Sequence, residues 1–198
     1  AITDLSVDIG MPTLVPAACA GYALDETAAS HLREALDRKD AAAVDRIGST
    51  MPAAAASVFS SLLAAAGPAD AALTHLNDLD LPSDAAAERA ALVSVVERVT
   101  ADAPALSITV DAVENRGFEY HTGVTFTFFA NGIRGELGRG GRYQAGIGAD
   151  GEPATGLTLF MDTILRAMPK PAAAIPPPNT PPTMEWVVET GEPTMVAT

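Results

Sequence analysis

The chain has 198 residues, enough for one ordinary domain with an appendage and a substantial core. Its 12 Lys and Arg stand against 25 Asp and Glu, a net charge of −13 that argues against electrostatic capture of nucleic acid or an anionic membrane and favours a small ligand or another protein. Cys19 is the single cysteine, so neither an intrachain disulfide nor a cysteine-based metal site is expected; with no basic-then-apolar leader and no long bulky apolar run, a reducing cytoplasm is the expected setting.

Residues 1–24 open in strand-like sequence without an initiator Met, which suggests a chain that starts inside a domain, a fragment of something longer. Residues 25–104 read as mainly helical. Leu32, Ala35 and Leu36 share one face, and Phe59, Leu62, Leu63 and Ala66 share another. Pro52 marks a helix start, and Gly67-Pro68 marks its end. A further helix is predicted from about Asp84 to Thr100, with Ser83 as N-cap and Leu92, Val95, Val96 and Val99 as its apolar stripe.

In residues 105–168 the period changes to two. Leu106, Ile108, Val110 and Ala112 alternate with polar residues, the mark of a half-buried strand. A second strand begins at Val124 and ends at Asn131-Gly132, a pair suited to a type I′ turn, so its antiparallel partner is predicted to begin at Ile133. Another strand near Ala154–Phe160 runs into an apolar helix. The fold class is therefore α+β, an antiparallel sheet with packed helices. From Pro169 to Pro182 seven of fourteen residues are proline, which excludes helix and central strand, so 169–198 is expected to be an extended or disordered tail.

Two clusters hold the candidate chemistry: Arg116-Gly117-Phe118-Glu119-Tyr120-His121-Thr122-Gly123 before one strand, and Gly138-Arg139-Gly140-Gly141-Arg142-Tyr143 after the hairpin. A tight turn between them would bring both to one end of the sheet. There Arg116 suits a carboxylate, Tyr120 and Tyr143 offer hydroxyls and ring faces to a planar ligand, and Gly140 and Gly141 let the backbone approach closely. The same residues also fit a plain structural role, with solvated arginines, turn glycines and tyrosines at the sheet rim. His121 alone reads as a structural hydrogen-bonding group. His31 and His75 have no partner at metal-ligand spacing, and no nucleophile elbow, Walker loop or dinucleotide fingerprint occurs, so neither metal nor cofactor is expected.

Read as RGFEYHTG and GRGGRYQ, the two clusters resemble the histidine-binding motifs of the histidyl-tRNA synthetase family, and Pro153–Asp162 resembles that family's third class II motif. The resemblance implies a partial class II aminoacyl-tRNA synthetase-like antiparallel sheet, with 25–104 as a helical insertion. It also implies histidine binding by Arg116, Glu119, Tyr120, Gly140, Gly141 and Tyr143. An active synthetase ends the third motif in a Gly-x-Glu-Arg pattern whose arginine holds ATP phosphate. Here those places read Phe160, Met161, Asp162 and Thr163. That loss implies no catalysis, and points to the branch formed by the regulatory subunits of ATP phosphoribosyltransferase. The implied partner is the short-form catalytic subunit in a cytoplasmic hetero-oligomer at the first step of histidine biosynthesis, with histidine as ligand. The competing readings are a synthetase fragment and an inert folded fragment.

Overall fold

The computed structural model describes residues 2–114, 120–146 and 151–169, together with the backbone of 184–189 and 192–197. Two compact units result, 1–168 and 169–198.

The first unit begins with strand β1 (Leu5–Gly10). The predicted strand-like start is confined to these residues, because Leu14, Val15, Ala18 and Cys19 form a buried helical face and make 14–21 a helix, α1 (Leu14–Gly21). Helices α2 (Glu26–Asp37) and α3 (Ala41–Gly48) follow, each started by an aspartate. The carboxylate of Asp25 accepts the Ala28 N–H at 2.8 Å, and that of Asp40 accepts the Ala43 N–H at 2.9 Å. Helix α4 (Ala53–Ala64) has Pro52 as its N-cap residue. It buries Phe59 and Leu62 as expected, whereas Ala66 lies beyond the helix end and is exposed.

Gly67-Pro68 ends that helix by forming a two-residue strand, β2 (Gly67–Pro68), ahead of α5 (Ala69–Asn77). The Arg89 guanidinium donates from Nη1 to the carbonyls of Leu76 at 3.0 Å and Leu79 at 2.6 Å, satisfying acceptors left open where α5 ends. Arg89 belongs to α6 (Ser83–Asp102), which begins one residue earlier than predicted. Pro82 is its N-cap residue. Ser83 instead turns its hydroxyl to Asp84 Oδ1 at 3.3 Å, since a proline before it already sets the extended backbone that a capping serine would adopt.

The sheet order is β2-β3-β1-β4-β5-β6, with β3 (Ser107–Asp111), β4 (His121–Ala130), β5 (Gly138–Ala145) and β6 (Glu152–Leu159). All pairings are antiparallel except β1 with β3, which are parallel. The sheet is thus predominantly antiparallel, as expected, and its one parallel pair has a topological reason. Parallel neighbours need a long crossover, and the helices α1 to α6 that separate β1 from β3 in the chain supply it.

The predicted type I′ turn does not form. Gly132 has φ +74 while Asn131 is not among the residues with positive φ, and the Ile133 N–H donates to the Ala130 carbonyl at 3.2 Å. Positive φ at the second central residue alone is the type II pattern. The pairing resumes where the Leu137 N–H reaches the Phe128 carbonyl at 2.8 Å, so the partner strand starts at Gly138 instead of Ile133.

One sheet face carries Val7, Ile9, Val110, Phe126 and Phe128, packed with Leu14, Phe59, Leu92 and Val96 of the helices into a single core. The other face is polar: Asp8, Thr109, Thr127 and Arg139 lie on it, and Thr109 Oγ1 donates to Asp8 Oδ1 at 2.5 Å. Beyond β6 the short helix α7 (Met161–Ala167) turns back. Leu157, Leu159, Met161, Leu165 and Met168 are all about half exposed or more, an apolar surface beside the sheet's open edge. Among the described residues no helix is long and apolar enough to cross a membrane.

In the second unit, β7 (Met184–Glu189) and β8 (Glu192–Ala197) pair as an antiparallel hairpin, so the expected extended tail contains paired strands. The proline-rich residues 170–183 lie outside the described residues.

Cys19 makes the fold sensitive to alkali. Burial pushes its thiol from 9.0 up to about 11, so between those values the unfolded chain ionises while the folded chain holds its proton. Stability is therefore full below pH 9 and declines as pH rises towards 11. Burial also raises the Tyr22 phenol, which adds to the decline. Urea titrations at pH 8 and pH 10.5 should show a lower midpoint at the higher pH, and Cys19→Ala should lessen that difference.

Candidate functional site

The register of three strands builds the site. Thr125, Gly141 and Gly156 sit side by side on the polar face, while Phe126, Gly140 and Leu157 sit side by side on the core face. A cavity of about 480 Å³ is bounded by these strands, with Glu114, Tyr120, His121, Glu136, Arg139 and Tyr143 at its border. That volume suits a small molecule.

Glycines make its floor. A Cβ on Gly141 would stand 2.6 Å from His121 Cδ2, and one on Gly156 would stand 3.0 Å from Tyr143 Cε1. The two rings thus fill space that side chains would otherwise take. Between His121 and Thr125 the pairing slips, with four steps of β4 set against two of β5. This bulge re-aims the end of β4 that carries His121. Tyr120 stacks on Tyr143 with centroids 5.0 Å apart and planes 18° apart, and meets His121 edge-on at 5.1 Å and 82°. Three aromatic side chains therefore line one end of the floor, with Tyr120 58% exposed and able to meet a ligand.

At the border towards β1, a Cβ on Gly10 would lie 2.8 Å from Thr125 Oγ1 and 3.9 Å from Glu114 Oε2. The absence of a side chain there makes room for both. Opposite charges meet near the start of β5, where Arg139 Nη1 stands 3.8 Å from Glu136 Oε2 and the guanidinium lies 5.8 Å from the centre of the Phe160 ring. Among the described residues no group of three or more His, Cys, Asp or Glu is placed to hold a metal.

Of the residues singled out from sequence, Tyr120, Gly141 and Tyr143 meet at this cavity. Gly140 borders it through its backbone, but its missing side chain faces the core. A Cβ there would collide with the Gly156 carbonyl oxygen and stand 2.8 Å from Phe126 Cζ. Arg116 and Glu119 lie outside the described residues. Glu114, Thr125, Thr127, Glu136, Gly156 and Thr158 are lining residues beyond those expected from the sequence, as are Arg139 and His121, for which no binding role was expected. Period-two alternation in Val124–Ala130 would have put Thr125 and Thr127 on the face opposite the phenylalanines, but placing Gly156 beneath Tyr143 requires the β5–β6 register.

The segment that resembles the third motif is tied into the fold. Phe160 donates its N–H to the Leu137 carbonyl at 2.9 Å, extending the ladder. Thr163 is buried, and its hydroxyl accepts from Arg166 Nη2 at 2.9 Å. A neutral, buried hydroxyl cannot offer a triphosphate the fixed charge of a guanidinium.

The family model described as histidyl-tRNA synthetase matches residues 1–164. The chain belongs to the histidyl-tRNA synthetase family. Within that family it is 55% identical over 173 residues to the ATP phosphoribosyltransferase regulatory subunit of Paramagnetospirillum magneticum, a match covering 87% of this chain and 44% of that protein. The chain thus spans less than half the length of the curated relatives it matches. Among solved structures it resembles an ATP phosphoribosyltransferase regulatory subunit/histidyl-tRNA synthetase from Bacillus halodurans, with TM-score 0.69, 20% identity, and coverage of 84% of this chain and 45% of that one. It also resembles a chain of the ATP phosphoribosyl transferase (HisG:HisZ) complex from Thermotoga maritima, with TM-score 0.62, 18% identity, and coverage of 80% and 54%. At these identities the structural likeness concerns the fold, a synthetase-like α+β sheet.

Proposed function

We propose that the protein carrying this chain is a non-catalytic regulatory subunit of ATP phosphoribosyltransferase, and that the cavity over Gly141 and Gly156 takes free histidine. The observation that carries this reading is a pairing within one short stretch of fold. An aromatic, glycine-floored cavity persists beside a third motif whose final position is the buried Thr163. A synthetase needs both an amino-acid pocket and a cation for ATP; a sensor needs only the first.

The partner in this reading is the short-form catalytic subunit, in a cytoplasmic hetero-oligomer serving histidine biosynthesis. Two things support it: the names carried by the relatives and the apolar surface from Leu157 to Met168, which suits contact with another polypeptide. Regulation follows if histidine binds two states of the assembly with different affinity.

Histidine-dependent exchange of pyrophosphate into ATP separates sensor from synthetase. The full-length protein bearing this segment should show no exchange above background. Clear exchange would establish a synthetase and remove the regulatory reading.

A further inference from the structure

Resting on the reading of the cavity as an amino-acid site, we infer that Arg139, with the hydroxyls of Thr127 and Thr158, forms its carboxylate-recognising end. The register places Thr127, Arg139 and Thr158 in one row across β4, β5 and β6, on the polar face that also holds the Gly141–Gly156 floor. All three line the cavity. Two residues further along β5 lies the floor, and two beyond that lies Tyr143. At the rise of an extended strand the Arg139 and Tyr143 backbones are about 13 Å apart. The Arg139 guanidinium lies beside Glu136 and the Phe160 ring, at the end of the cavity away from Tyr143, so the span between the two leaves room for one small amino acid lying over Gly141.

The two ends are chemically distinct. Tyr120, His121 and Tyr143 give rings and edges, which suit a planar side chain. The opposite row gives an arginine flanked in register by two threonines, a set of donors that suits a carboxylate. Arg139 is the guanidinium among the described residues that line the cavity. Its contact with Glu136 at 3.8 Å is longer than a hydrogen bond and its side chain is 59% exposed, whereas that of Glu136 is 20% exposed. Glu136 therefore biases the position of the guanidinium without saturating its five donors. The ligand orientation that follows has the ring towards the tyrosines and the carboxylate towards Thr127 and Thr158.

Histamine tests this, because it keeps the ring and the ammonium of histidine but lacks the carboxylate. Calorimetric titration of the full-length protein bearing this chain should give histidine binding about tenfold or more tighter than histamine binding. Arg139→Gln should weaken histidine about tenfold while leaving histamine unchanged, and Arg139→Lys should fall between. A thermal melt of each variant checks that the exposed substitution leaves the fold intact. Undiminished preference for histidine in Arg139→Gln would overturn the inference and leave the histidine site standing, as would loss of the preference in Arg116→Gln alone. Wild-type binding of both ligands with equal affinity would also overturn it. Binding of neither ligand by the wild type would overturn the amino-acid site itself.

Discussion

Gly140→Ala is expected to destabilise the first unit by about 3 kcal/mol, the upper part of the usual range for overpacking. The new methyl would meet the Gly156 carbonyl oxygen, a backbone atom that cannot move without disturbing the β5–β6 ladder, and the Phe126 ring edge at 2.8 and 2.9 Å. Phe126 packs against the core, so its retreat would open space among buried residues. For a unit of this size the loss corresponds to a fall in melting temperature of roughly 6–12 °C. Gly132→Ala is the natural comparison. Nothing stands within 4 Å of that position, and only its φ of +74 penalises a side chain, at about 1–2 kcal/mol. Melting curves followed by circular dichroism should therefore rank Gly140→Ala well below Gly132→Ala, and equal midpoints would contradict the packing described here.

One residue along the strand, the same substitution should act on binding instead. Gly141 faces the cavity, and an alanine methyl would stand 2.6 Å from His121 Cδ2 and 2.9 Å from its Nε2. The imidazole is a movable side chain, so the clash can be relieved by pushing the ring away from the floor, towards Tyr120. The Val124 carbonyl at 3.0 Å limits how far the backbone can help. Gly141→Ala is therefore expected to weaken histidine binding by at least about tenfold, because a methyl and a displaced ring take up space a ligand would need, while costing less stability than Gly140→Ala. Calorimetry on both variants gives the comparison. Undiminished affinity in Gly141→Ala would place the ligand elsewhere.

That contrast marks the limit of what the sequence can show. Alternation in Leu106–Ala112 was legible because one face of that strand is packed against helices, and the buried stripe of α6 at Leu92 and Val96 was legible for the same reason. The two glycines of GRGGRY look alike in sequence. Only the pairing of β5 with β4 and β6 reveals that one gives room to Phe126 and the other to His121. The Asn131-Gly132 pair signalled a turn correctly but not its type, since residues 133–137 continue as a loop before the ladder resumes. The parallel β1–β3 pairing was not legible because it joins residues about a hundred positions apart across a helical crossover. That the resembling motif ends here in the uncharged Thr163 was likewise legible, but not its burial beside Arg166.

In the proposed reading the cavity beside the uncharged Thr163 serves regulation of a partner enzyme. The most direct test of that reading is the phosphoribosyl transfer rate of the short-form catalytic subunit, measured with and without the full-length protein that bears this chain. A rate that rises on mixing and responds to added histidine is the predicted result. An unchanged rate at saturating concentrations of both proteins would contradict the account.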